Sequence, residues 1–82
     1  MLRIKLLFFA VLRDVAGRSE EVIELPDGAR AGDVWQRLRD EHPVLREYIQ
    51  PPMIAVNESY AGADEPLRDG DELAFIPPVA GG

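Results

Sequence analysis

The chain has 82 residues, a mass of 9.1 kDa and a formal net charge of −6, with no cysteine and a single histidine, His42. One domain of this length hides only roughly 60–65% of the surface its unfolded form exposes, yet its apolar share of 46% allows a core without staples. These numbers exclude a disulfide framework, a thiolate zinc site and a cysteine nucleophile. They leave a serine–histidine relay poorly supported and offer no basic footprint for generic nucleic-acid binding.

Charge is uneven. Residues 1–39 carry seven bases against six acids, and residues 40–82 carry two against nine. An acidic C-terminal half fits a basic partner surface, or simply keeps a small domain in solution. No stretch approaches the roughly 20 apolar residues of a membrane span. Met1 to Lys5 is weakly basic and Leu6 to Leu12 is apolar, which imitates a short signal peptide. Arg13 and Asp14 then stand where a small-residue cleavage site would begin, so the segment reads as structure and the expected location is the cytoplasm.

In chain order, Leu2, Ile4, Leu6 and Phe8 alternate with Arg3 and Lys5, the period of a strand. Leu7 and Phe9 make the far end of the other face apolar. Ala10 to Ala16 has Val11, Leu12 and Val15 at helical spacing, closed by Gly17 as a left-handed cap. Glu20 to Leu25 predicts a second strand with Val22 and Ile23 as its apolar pair, and Pro26-Asp27-Gly28 a turn. The main helix is Ala31 to about Glu41, with Val34, Trp35 and Leu38 as its stripe and Arg37, Arg39 and Asp40 facing water. No serine or threonine caps it, which leaves its start loose near Arg30–Gly32. Pro43 stops it.

Val44 to Ile49 reads as a short helical turn before Pro51-Pro52. Met53 to Val56 predicts a strand and Asn57-Glu58-Ser59 a turn. Tyr60 to Pro66 is irregular, with room for a short edge strand. Asp69-Gly70-Asp71 is a tight turn, Glu72 to Ile76 the last strand, and Pro77-Pro78 its stop. The sum is an α+β domain over residues 1–78: a mixed sheet of four to five strands with one main helix across one face. The most apolar strands, first and last, belong side by side and parallel in the middle, the wiring of a β-grasp domain. Residues 79–82 form a flexible extended tail.

Most chemical motifs are absent. No glycine-rich phosphate cradle occurs. Asp69-Gly70-Asp71 lacks the remaining ligands of a calcium loop, so no metal site is expected. His42, before a proline at a helix end, suits a carbonyl or the dipole. Trp35 is core, and no enclosed carboxylate pair stands out as acid and base. Two features remain. The chain ends Val79-Ala80-Gly81-Gly82, and two glycines can enter a narrow channel, presenting a terminal carboxylate; an ordinary frayed terminus ends the same way. Further, if Phe8 and Phe75 lie under the helix, then Leu7, Phe9, Ala74 and Ile76 share the open face near the tail. That patch is a protein interface unless the Ala10–Ala16 helix covers Phe9.

Leu7-Phe8-Phe9-Ala10, Leu12-Arg13, Gly17, His42-Pro43, Val56-Asn57, Pro66-Leu67, Asp69-Gly70-Asp71-Glu72 and Phe75-Ile76-Pro77-Pro78-Val79-Ala80-Gly81-Gly82 together resemble the small-subunit family of molybdopterin synthase. That family belongs to the ThiS/MoaD-type ubiquitin-like β-grasp sulfur carriers. Arg30, where a threonine cap is common, and Tyr60, where aliphatic residues are common, depart from its pattern, and neither touches the tail. The resemblance implies a sulfur carrier of molybdenum cofactor biosynthesis. Gly82 is adenylated by a ubiquitin-activating-type enzyme at the expense of ATP, and a sulfur donor such as a desulfurase or rhodanese-like protein makes it a thiocarboxylate.

The tail, with Gly81, Ala80 and Val79 threading, then enters the large synthase subunit and gives sulfur to cyclic pyranopterin monophosphate. The expected partner-binding residues are Phe9, Leu7, Tyr60, Ile76 and Pro77, in a heterotetramer. No cofactor is expected to bind stably, and neither nucleic acid nor membrane is an expected partner. The same tail would serve thiamine, cysteine or tRNA thiolation, or a ubiquitin-like modifier joined to proteins through Gly82.

Overall fold

The computed structural model describes residues 1–47 and 52–76; the expectations for Ile49, Pro51 and the tail from Pro77 to Gly82 fall outside the described residues. The elements are β1 (Leu2–Phe8), α1 (Ala10–Ala16), β2 (Glu20–Leu25), α2 (Ala31–Glu41), a 3₁₀ turn (Pro43–Glu47), β3 (Met53–Val56), β4 (Ser59–Ala61) and β5 (Glu72–Ile76). They form one five-stranded sheet in the order β2-β1-β5-β3-β4. β1 and β5 run parallel, with Leu6 beside Leu73 and Phe8 beside Phe75. All other pairings are antiparallel. This is the β-grasp arrangement expected from the apolar character of the first and last strands.

Alternation along β1 assigns the two faces. Ile4, Leu6 and Phe8 point inward and are buried, while Arg3 and Lys5 are exposed and Leu7 half-buried. The inward side meets α2 through Ala31, Val34, Trp35 and Leu38. Trp35 and Phe75 have ring centroids 5.5 Å apart with planes tilted by 44°, an offset contact that adds to simple burial. Leu12, Ile23, Leu25, Ala29, Leu45, Ile54, Leu67 and Leu73 complete the core.

Several expectations shift in detail. Of the apolar residues of α1 only Leu12 is fully buried, because a seven-residue helix has little more than one inward position per turn. In β2, Ile23 is buried and Val22 is 61% exposed, since neighbouring strand residues face opposite ways. Arg39, expected in water, is half-buried beside the junction of α2 and the 3₁₀ turn, where its Nε has no hydrogen-bond partner among the described residues. Ser59 is already strand: β3 and β4 are joined by Asn57-Glu58 alone, and Val56 pairs with Ser59. Their φ values, 50° and 70°, are both left-handed, the signature of a type I′ hairpin turn.

α2 starts at an extended Arg30, whose amide donates to the Asp33 carboxylate at 2.8 Å. Asp33 thus supplies half of a capping box. The next amides are met by the loop that follows β4: Ala31 N donates to the Glu65 carbonyl at 3.0 Å and Gly32 N to the Ala63 carbonyl at 2.7 Å. A Cβ on Gly32 would meet both Ala63 Cβ and its carbonyl oxygen at 3.0 Å, so close approach is what this glycine provides.

Asn57 ties the hairpin to the central strand. Its amide nitrogen donates to Asp71 at 2.9 Å, its side-chain oxygen accepts the Glu72 N–H at 3.0 Å, and its own N–H reaches the Glu72 carbonyl at 2.8 Å. Replacing Asn57 by alanine removes two of these bonds and leaves a β-carbon at positive φ. The variant is expected to lose about 1–2 kcal/mol of stability in urea denaturation. Gly32→Val, measured the same way, is expected to lose about 1–3 kcal/mol through overpacking against Ala63.

Candidate functional site: an apolar hollow at the root of the tail

The sheet carries helices on one face only, so the register of its strands decides what the other face offers. One row across that face reads Leu7, Ala74, Ala55, Tyr60. Two alanines side by side between two large side chains leave a hollow, with Ala55 and Ala74 as floor and Leu7 and Tyr60 as walls. The next row toward the end of β5 holds Ile76 beside Met53, and Phe9 follows Leu7 on the same side. The cavity measures about 250 Å³. Tyr60 is 73% exposed, Met53 53% and Phe9 46%. An apolar group of this size, gathered on one face, is the mark of a protein-binding surface.

Local backbone geometry exposes Phe9. β1 leads into an extended Phe9 and then Ala10, whose φ of 50° is left-handed and costs a residue with a β-carbon about 1 kcal/mol. That sharp reversal starts α1 on the core side of the sheet, where Leu12 enters, and leaves Phe9 uncovered. The alternative in which α1 shields Phe9 is therefore set aside. Ile76, half-buried, is the last residue of β5, so the hollow reaches the C-terminal end of that strand.

Of the expected partner-binding residues, Leu7, Phe9, Tyr60 and Ile76 come together in this hollow. Pro77, and Val79, Ala80, Gly81 and Gly82 of the tail, lie outside the described residues. Ala55 and Met53 were not singled out from the sequence. The signal was present, since Ala55 is the alternate-face neighbour of Ile54, but it needed the β3–β5 register to be read.

Other candidates resolve into structure. Asp71 accepts from Arg68 N at 2.7 Å and from Asn57, and Asp69 accepts from Arg3 N at 2.8 Å, so both carboxylates fasten a turn to the sheet. Among the described residues no group of three or more potential ligands is placed to hold a metal ion. His42 is the C-cap of α2, its N–H donating to the Leu38 carbonyl at 2.8 Å. Among those same residues no helix is long and apolar enough to cross a membrane.

Comparison with known proteins gives one consistent picture. Residues 6–82 match the model of the ThiS family. The molybdopterin synthase sulfur carrier subunit of Chlamydomonas reinhardtii is 41% identical over 99% of this chain and 100% of its own. Its namesake from Mycobacterium tuberculosis is 36% identical over the full length of both. Among solved structures, a putative molybdopterin converting factor subunit 1 from Pyrococcus furiosus is 37% identical and superposes with a TM-score of 0.85, covering 96% of this chain and 100% of its own. Small archaeal modifier protein 1 of H. volcanii is 28% identical, with a TM-score of 0.83 over 96% of this chain and 100% of its own.

The two faces of β1 predict opposite responses to the same change one residue apart. Leu6→Asp places a carboxylate in the core and is expected to abolish the cooperative thermal transition. Leu7→Asp faces the hollow and is expected to stay within about 1 kcal/mol of the parent in the same melt.

Proposed function

The chain belongs to the ThiS family, and from that premise we propose that it is a sulfur carrier of molybdenum cofactor biosynthesis whose working group is the terminal carboxylate of Gly82. The observation that carries the reading is the pairing of a Gly81-Gly82 end in the sequence with an apolar hollow that reaches Ile76 at the end of β5. Full-length relatives named as molybdopterin synthase sulfur carrier subunits support it.

A carboxylate is a poor electrophile at neutral pH, so the first step is activation. A ubiquitin-activating-type partner joins the Gly82 carboxylate to the α-phosphate of ATP and releases pyrophosphate. In the resulting acyl-adenylate AMP is a good leaving group; the outer sulfur of a donor protein's persulfide displaces it, and a thiol then cleaves the S–S bond, which frees the thiocarboxylate and leaves the donor as a disulfide. Thiocarboxylate sulfur is softer and more nucleophilic than the oxygen it replaces. Inside the large subunit of the synthase it is given to cyclic pyranopterin monophosphate, and two such transfers build the dithiolene. The small chain contributes the cargo and the address, while ATP and the acid–base groups belong to its partners. No thiol of its own can attack the activated Gly82, since the sequence has no cysteine.

The hollow supplies the address. Leu7, Phe9, Tyr60 and Ile76 dock the large subunit, and Gly81 and Gly82 pass through a channel too narrow for side chains, with Val79 and Ala80 behind them. Pro77 stiffens the root. Burying even half of these side chains at an interface removes enough apolar surface to hold the tail in register.

A second reading is favoured by the 28% identity and close superposition with small archaeal modifier protein 1: a modifier joined to protein amines through the same activated Gly82. The product separates the two. Incubation with the activating enzyme, ATP and a sulfur source is expected to raise the intact mass by one oxygen-to-sulfur exchange. A stable, thiol-resistant amide to another protein, without that exchange, would decide for the modifier. One residue added after Gly82 is expected to abolish sulfur transfer and leave the melting temperature unchanged. Phe9→Asp and Ile76→Asp are each expected to weaken large-subunit binding by at least about ten-fold in calorimetric titration, with the fold intact.

A further inference from the structure

The hollow is apolar toward the tail and acidic at its other end. Glu72 stands one row before Ala74 on β5, and Glu58 occupies the second position of the β3–β4 turn; both line the cavity. Neither carboxylate enters an ion pair among the described residues. Lys5, the register neighbour of Glu72 on β1, instead gives its ammonium to Glu20 at 3.4 Å. A partner side chain lowered into the hollow therefore meets apolar walls on one side and two uncommitted negative charges on the other.

We propose that the occupant is a segment of the large synthase subunit that carries an aliphatic or aromatic side chain for the hollow and, beside it, an arginine or lysine held by Glu58 and Glu72. This rests on the reading of the chain as the small subunit of that synthase, and it names what the docking surface selects. Charge argues for such a partner over a second copy. The β5-β3-β4 side of the sheet, where the hollow lies, is built from the half of the chain with nine acids against two bases, so a second copy would oppose like charge with like.

Glu58 makes the assignment testable in an unusual direction. With φ at 70° it sits where glycine is least costly, so Glu58→Gly relieves backbone strain while deleting the carboxylate. A merely structural role for this turn would move stability and binding together. The clamp predicts that they part.

The test is calorimetric titration of the full chain against the large subunit at low and high salt, with thermal melts of each variant. Glu58→Gln and Glu72→Gln are each expected to weaken binding by about three- to ten-fold at low salt, and the double variant to flatten the salt dependence. Glu58→Gly is expected to melt higher than the parent and bind more weakly. Glu65→Gln, outside the hollow, is expected to bind like the parent. A parent chain that does not bind the large subunit overturns both the clamp and the functional reading beneath it. Tight parental binding that the Glu58 and Glu72 variants leave unchanged overturns the clamp alone. Self-association in sedimentation velocity that Leu7→Asp abolishes would give the hollow to a second copy and also overturn it.

Discussion

Everything in this fold depends on the parallel contact between β1 and β5, the first strand and the last described one. Leu6 beside Leu73 and Phe8 beside Phe75 put the most apolar segments of the chain in the centre of the sheet, under Trp35. Because the pair is parallel, both strands end at the same edge. β1 ends there in the Phe9–Ala10 reversal, and β5 ends there in Ile76, next to Pro77. An antiparallel pair would have sent the two ends to opposite sides. That Phe9 and Ile76 stand at the same edge is thus a consequence of strand direction, before any side chain is chosen.

The same contact separates charge. In the order β2-β1-β5-β3-β4, the boundary between β1 and β5 is also the boundary between the N-terminal and C-terminal halves of the chain. Sequence asymmetry therefore becomes spatial asymmetry across the sheet, with Arg3 and Lys5 on one side of the boundary and Glu58 and Glu72 on the other. The hollow straddles the line: its Leu7 wall belongs to the near-neutral half, and its floor and Tyr60 wall to the acidic half.

Much of this was legible in the sequence because the strands alternate cleanly. The odd apolar residues Leu7 and Phe9, out of place in the pattern of β1, pointed to the open face, and both line the hollow. Pro43 and Gly17 marked helix ends correctly. What could not be read was non-local. The hollow arises from two alanines brought side by side by register, and an alanine in a strand carries no signal of its own. The two-residue turn was read one residue too long because Glu58 stands where glycine is the usual cue. The start of α2 stayed loose because Asp33 and the carbonyls of Ala63 and Glu65, rather than a side chain at Arg30, satisfy its first amides.

That last arrangement has a functional side. Exposed helix N-termini attract anions, and an uncapped α2 would offer such a site. Here the first turn of α2 is closed by the chain's own 62–66 loop. A Gly32 without a β-carbon lets Ala63 approach closely enough to do so. The hollow and its acidic end stay open at the other face of the sheet, beside the last residue of β5.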